Sequence, residues 1–94
     1  MTFTHVLAES RLTKIELAEL YGVSRQTIHT WAGGGFPRPG TYTARMAETI
    51  TAALENTLAR RLLPLGPMDR GARRARIEKM SKTLQGLKPA PIKG

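Results

Sequence analysis

The chain contains no cysteine, only two histidines (His5 and His29) and a single aspartate (Asp69) in 94 residues. The first absence excludes disulfides and thiolate catalysis. So few imidazoles, with no paired-carboxylate arrangement, leave neither a metal-ligand spacing nor a general acid–base constellation. His29 on its own has no identifiable orienting partner. No catalytic residue, cofactor or metal is therefore expected, and the chain does not read as an enzyme. Long apolar runs are missing too, and Met1-Thr2-Phe3-Thr4-His5 lacks the basic start of a signal peptide. These absences lead to the expectation of a cytoplasmic protein with no membrane partner. Almost no segment alternates with a period of two, so strands are not expected.

Acids are the remaining scarcity, and they leave the first positive signal. Fifteen Lys and Arg stand against seven Asp and Glu, for a net charge of +8. The excess is uneven: residues 1–47 carry +2 and residues 48–94 carry +6. A small basic domain commonly meets a polyanion, although net charge also serves solubility alone.

Apolar residues recur at spacings of three and four, which predicts an all-α chain. A first helix follows Thr2 or Thr4 and runs to about Arg11, with Phe3, Val6 and Leu7 inward. Thr13-Lys14-Ile15-Glu16 fits a capping box opening a second helix, in which Ile15, Leu17, Ala18 and Tyr21 supply apolar positions. Gly22 ends that helix, because glycine tolerates a left-handed backbone. Ser24 caps a third helix from Arg25 to about Ala32, stopped by Gly33-Gly34-Gly35. The glycines are also able to let the backbone approach a phosphate. Phe36-Pro37-Arg38-Pro39-Gly40 reads as loop. From Thr43 a long pattern places Met46, Ala47, Ile50, Ala53, Leu54, Leu58 and Leu62 on one side, as one helix or as two with a bend near Asn56.

The stretch Gly22-Val23-Ser24-Arg25-Gln26-Thr27-Ile28-His29-Thr30-Trp31 mixes few anchors with many polar side chains. Turning each residue by about 100° puts Ile28 and Trp31 on one face of the third helix. Gln26 and Thr30 then point outward, with Arg25 and His29 on the flank. Two short helices around a glycine turn make a helix-turn-helix when they cross steeply. Its outer face suits a major groove: Arg matches guanine and Gln matches adenine, while His29 and Thr30 reach base edges or phosphates. Ser24 at the helix start suits a phosphate, and Arg38 and Arg45 are further phosphate candidates. The plain alternative is a surface helix with polar residues in solvent. Trp31 reads as a core anchor rather than a base-stacking platform.

The run from Leu12 to Trp31, with Ala18, Gly22, Val23, Ile28 and Trp31 at matching spacings, resembles the helix-turn-helix of phage repressor and Cro-type regulators. The resemblance covers about residues 3–62 and implies a compact four- to five-helix bundle. It also implies double-stranded DNA as partner, a homodimer, and DNA-facing positions at Ser24, Arg25, Gln26, His29 and Thr30. A bacterial host cytoplasm, associated with the nucleoid, would be the setting. Gly34-Gly35-Phe36-Pro37-Arg38-Pro39 departs from that plan and looks like excisionases and small MerR-like activators, but Thr43 onward reads as helix where they need a two-stranded wing.

Residues 1–63 thus form the expected helix-turn-helix domain, 64–67 a Pro/Gly break, 68–87 a basic C-terminal helix capped by Asp69, and 88–94 a flexible tail. Deleting the segment from residue 68 onward is expected to leave a folded domain. Ile77, Met80, Leu84 and Leu87 make a narrow stripe, open to a dimer contact, to packing on Leu54, Leu58 and Leu62, or to folding on DNA, the plain alternative being a solvated basic tail. Beside a transcriptional regulator, the same features admit an architectural DNA protein (excisionase or small terminase subunit) or a phage-encoded adaptor that binds a protein.

Overall fold

The computed structural model describes residues 3–88. It contains α1 (Phe3–Glu9), α2 (Lys14–Tyr21), α3 (Arg25–Ala32), α4 (Tyr42–Ala59) and α5 (Arg70–Gln85), and the chain is all-α. The expected tail from residue 89 onward lies outside the described residues.

Local chemistry sets most of the boundaries. Thr13 Oγ1 accepts the Glu16 amide at 3.1 Å and Glu16 Oε1 accepts the Thr13 amide at 2.9 Å, completing the capping box of α2. Ser24, Thr41 and Asp69 each accept an amide in the first turn of the helix that follows. Helix α1 stops short of Arg11. Ser10 is buried, its hydroxyl accepts the Leu12 amide at 3.3 Å, and Arg11 adopts a left-handed φ of 55°. That bend cannot continue a helix.

Gly22 has φ 70° and ψ 35°, and the Val23 amide donates to Ala18 O at 3.0 Å. This left-handed closure turns the chain from α2 into α3. The triple glycine closes α3 in the same way: Gly34 has φ 103° and the Gly35 amide donates to Thr30 O at 2.9 Å. A Cβ on Gly35 would lie 2.7 Å from Thr30 Cγ2, so helix closure alone accounts for glycine there.

The core gathers Val6, Leu17, Leu20, Tyr21, Ile28, Trp31, Ile50 and Leu54. At its centre the rings of Phe3, Tyr21 and Trp31 meet edge to face, with centroids 5.5–5.6 Å apart. Tyr21 donates to or accepts from Thr51 at 2.7 Å, which satisfies both buried hydroxyls. Helix α4 is continuous past Asn56. Two apolar positions differ from the sequence pattern. Ile15 is 62% exposed, on the side of α2 away from the core, and Leu20 takes the inward place. Leu62 lies beyond α4, where Arg61 turns left-handed at φ 61°, so Leu63 enters the core and Leu62 stays outside.

Helix α5 belongs to this same core. Ile77 and Leu84 are buried in it, Met80 packs against it, and only Leu87 of the stripe stays exposed. The stripe is thus packed within the chain, in the same cluster as the other helices. The main partner is α2, and the stripe also shares its apolar cluster with Leu54 and Leu58 of α4. Arg73 forms a two-pronged ion pair with Glu16 (Nε–Oε2 2.6 Å, Nη2–Oε1 2.8 Å). Arg74 Nη2 lies 2.9 Å from Glu19 Oε1. Ser81 and Gln85 donate to the carbonyls of Glu19 and Leu20 at 3.2 and 2.9 Å. The order of these contacts shows α5 running parallel to α2. No helix among the described residues is long and apolar enough to cross a membrane.

Candidate nucleic-acid interface

Helix α3 is held from one side only. Ile28 is fully buried and Trp31 nearly so, while Ser24, Arg25, Gln26, His29 and Thr30 are exposed. The two anchors lie three residues apart, so docking them leaves the opposite side of an eight-residue helix to solvent. The structure therefore brings four of the seven candidate residues onto α3, with Ser24 at its cap. Arg38 and Arg45 are also exposed, but they sit on the loop before α4 and on its first turn. The Arg38 carbonyl accepts the Thr41 hydroxyl at 2.8 Å, which ties that loop to the α4 cap.

The polar groups differ in what they have left to offer. Ser24 Oγ already accepts the Thr27 amide at 3.0 Å and bonds the Thr27 hydroxyl at 2.8 Å. Thr30 donates its hydroxyl proton to Gln26 O at 3.1 Å, so outwardly it offers only an acceptor. His29 Nδ1 lies 3.0 Å from Lys14 Nζ. A lysine ammonium has only donors, so Nδ1 accepts and Nε2 carries the ring proton. His29 is consequently a donor toward the outside. Arg25 and Gln26 project from the first turn of α3.

Two cations at this surface were not evident from the sequence. Lys14 stands on the first turn of α2 beside His29. Lys88 reaches the turn from the end of α5: a Cβ built on Gly22 would lie 2.5 Å from Lys88 Nζ and 2.8 Å from Gln85 Oε1. Neither is close to α3 in sequence, and only the helix crossings place them there. Conversely, Arg73 and Arg74 are committed to Glu16 and Glu19. The Arg73 hydrogen bond holds the Glu16 carboxyl below its ordinary range, against the opposing effect of burial. Arg70, Arg76, Lys79 and Lys82 remain exposed on α5.

No set of three or more His, Asp or Glu side chains able to hold a metal occurs among the described residues. No family model matches the chain, and neither a curated protein nor a solved structure matches it.

Proposed function

We propose that the chain is a sequence-specific DNA-binding protein, a transcriptional regulator of the phage repressor and Cro type that acts by occupying an operator. The observation that carries this reading is the one-sided anchoring of α3, which leaves Arg25, Gln26 and His29 exposed together beside the Gly22 turn. A major groove admits a single helix, and these side chains carry the donors and acceptors that base edges require. Lys14 beside His29 and Lys88 beside the Gly22 turn add positive charge where phosphates would pass. Ser24 and Thr30 then serve chiefly to hold α3, with Arg38 and Arg45 as outlying phosphate contacts. Dimerisation on a two-fold operator follows from the family resemblance and would space half-sites by about 34 Å.

Selection of bound duplexes from a random pool tests the proposal. Enrichment of a short base pattern, repeated in inverted orientation, is the expected result. Retention of duplex without any enriched pattern would replace it with an architectural role. No retention of duplex at low salt would overturn DNA binding and favour a protein-binding adaptor.

A further inference from the structure

A cavity of about 890 Å³ opens between the start of α1, the loop after α3 and one face of α4. None of Arg25, Gln26 or His29 lines it, so it is separate from the interface described above. Its volume falls within the roughly 300–1,000 Å³ of small-molecule sites. Three aromatic rings form one wall: Phe36 lies 5.4 Å from Trp31 and 5.9 Å from Phe3, centroid to centroid. The opposite wall is α4, where Glu48 and Glu55 lie two turns apart on the lining face.

The charge of this cavity opposes that of the molecule. The chain carries fifteen Lys and Arg, yet among the described residues the two charged side chains lining the cavity are both glutamates. Glu55 is only 7% exposed, a costly position for a carboxylate in an apolar wall. Its Oε1 lies 3.0 Å from His5 Nδ1, and an ionised carboxylate has about four acceptor positions, so one such contact leaves room for a cationic donor. Its negative charge also contributes to raising the Tyr21 phenol, after the larger effect of burial. Aromatic faces attract a positive charge through their quadrupole, and a carboxylate opposite them completes a cation site with apolar walls.

We propose that this cavity binds a small organic cation, an ammonium group carried on an apolar or aromatic body. The ammonium sits between Glu55 and the aromatic wall, and the body fills the space along Ala52 and Phe36. The site does not rest on the DNA reading, because its test contains no DNA.

Trp31 is the only tryptophan and lines the cavity, so its emission reports occupancy. The full chain is titrated with 2-phenylethylamine, 2-phenylethanol and 3-phenylpropanoate, which share a body and differ in charge. A saturable change with the amine is expected, with the alcohol weaker by at least about tenfold and the acid weaker still. Glu55→Gln keeps the size of the side chain and a hydrogen-bonding partner for His5; it should erase the preference for the amine over the alcohol. Should that variant fail to fold, Ala52→Phe, at an exposed position on the cavity wall, should remove saturation by filling the space. Equal binding of all three probes, no saturable amine signal, or an unchanged amine preference in a folded Glu55→Gln protein would each overturn the proposal. Saturation that survives in Ala52→Phe would do the same.

Discussion

His29 takes its hydrogen-bonding sense from Lys14, fifteen residues earlier, and this one contact makes it a donor to whatever lies outside. His29→Ala should therefore leave the melting temperature essentially unchanged and weaken binding to the selected site by about 1–3 kcal/mol. Random duplex should lose much less, and equal losses on both would mean that His29 touches phosphates only. The outward direction of His29 follows from its position three residues after Gln26 and two before Trp31 on a helix. Its tautomer does not, because that depends on how α2 crosses α3. Gly22 is a similar case. The left-handed turn is legible as a glycine closing a capped helix, whereas the neighbouring Lys88 and Gln85 are not. Gly22→Val combines a φ of 70° with a Cβ pressed against both side chains. It should cost about 1–3 kcal/mol in urea unfolding, mostly from the backbone. A stability equal to the parent would contradict the turn.

Helix starts were the most legible elements, since Thr13, Ser24 and Asp69 each act within four residues of themselves. The partner of α5 was not. A narrow apolar stripe shows that a helix needs a neighbour, but Ile77 and Leu84 are equally compatible with a second copy, with α4 or with α2. Complementary charge decides among them here, through Arg73 on Glu16 and Arg74 on Glu19. The Glu16 pair also gives the fold a definite response to acid. Its carboxyl titrates below the ordinary value of 4.5 in the folded chain, so it binds protons less readily folded than unfolded. Its stabilising contribution is complete above that value and disappears as pH falls through the lowered one. Arg73→Met removes the cause of the shift. Its thermal stability should decline less steeply than the parent's as pH falls below 4.5. Parallel declines would show that the pair does not couple α5 to α2.

For the molecule as a whole, the docking of α5 changes what the basic C-terminal half does. It is part of the structure that supports α2 and α3, and two of its arginines are neutralised there. Deleting residues 68–94 removes Ile77 and Leu84 from the shared core, along with the bonds to the Glu19 and Leu20 carbonyls. The truncated chain should lose cooperative thermal melting by circular dichroism; a sharp transition near the parent's temperature would show an independent domain at 1–63. The pattern of apolar spacings made the helical class readable, but not this single-core architecture, because the loop at 64–67 looks like a linker until Leu63 and Leu65 are seen packed on the core. The cavity escaped the sequence for a related reason: Phe3, Phe36 and Glu55 are far apart in the chain. What α3 presents outward remains the central claim, and Gln26 tests it most directly, since it lies opposite the anchors and supports no part of the fold. Affinities of the parent and Gln26→Ala for the selected duplex and for random duplex should be measured across a salt series. Discrimination between the two duplexes should fall by about 1–3 kcal/mol in the variant, with an unchanged slope of log affinity against log salt. A variant that discriminates as well as the parent would contradict α3 as the reading element.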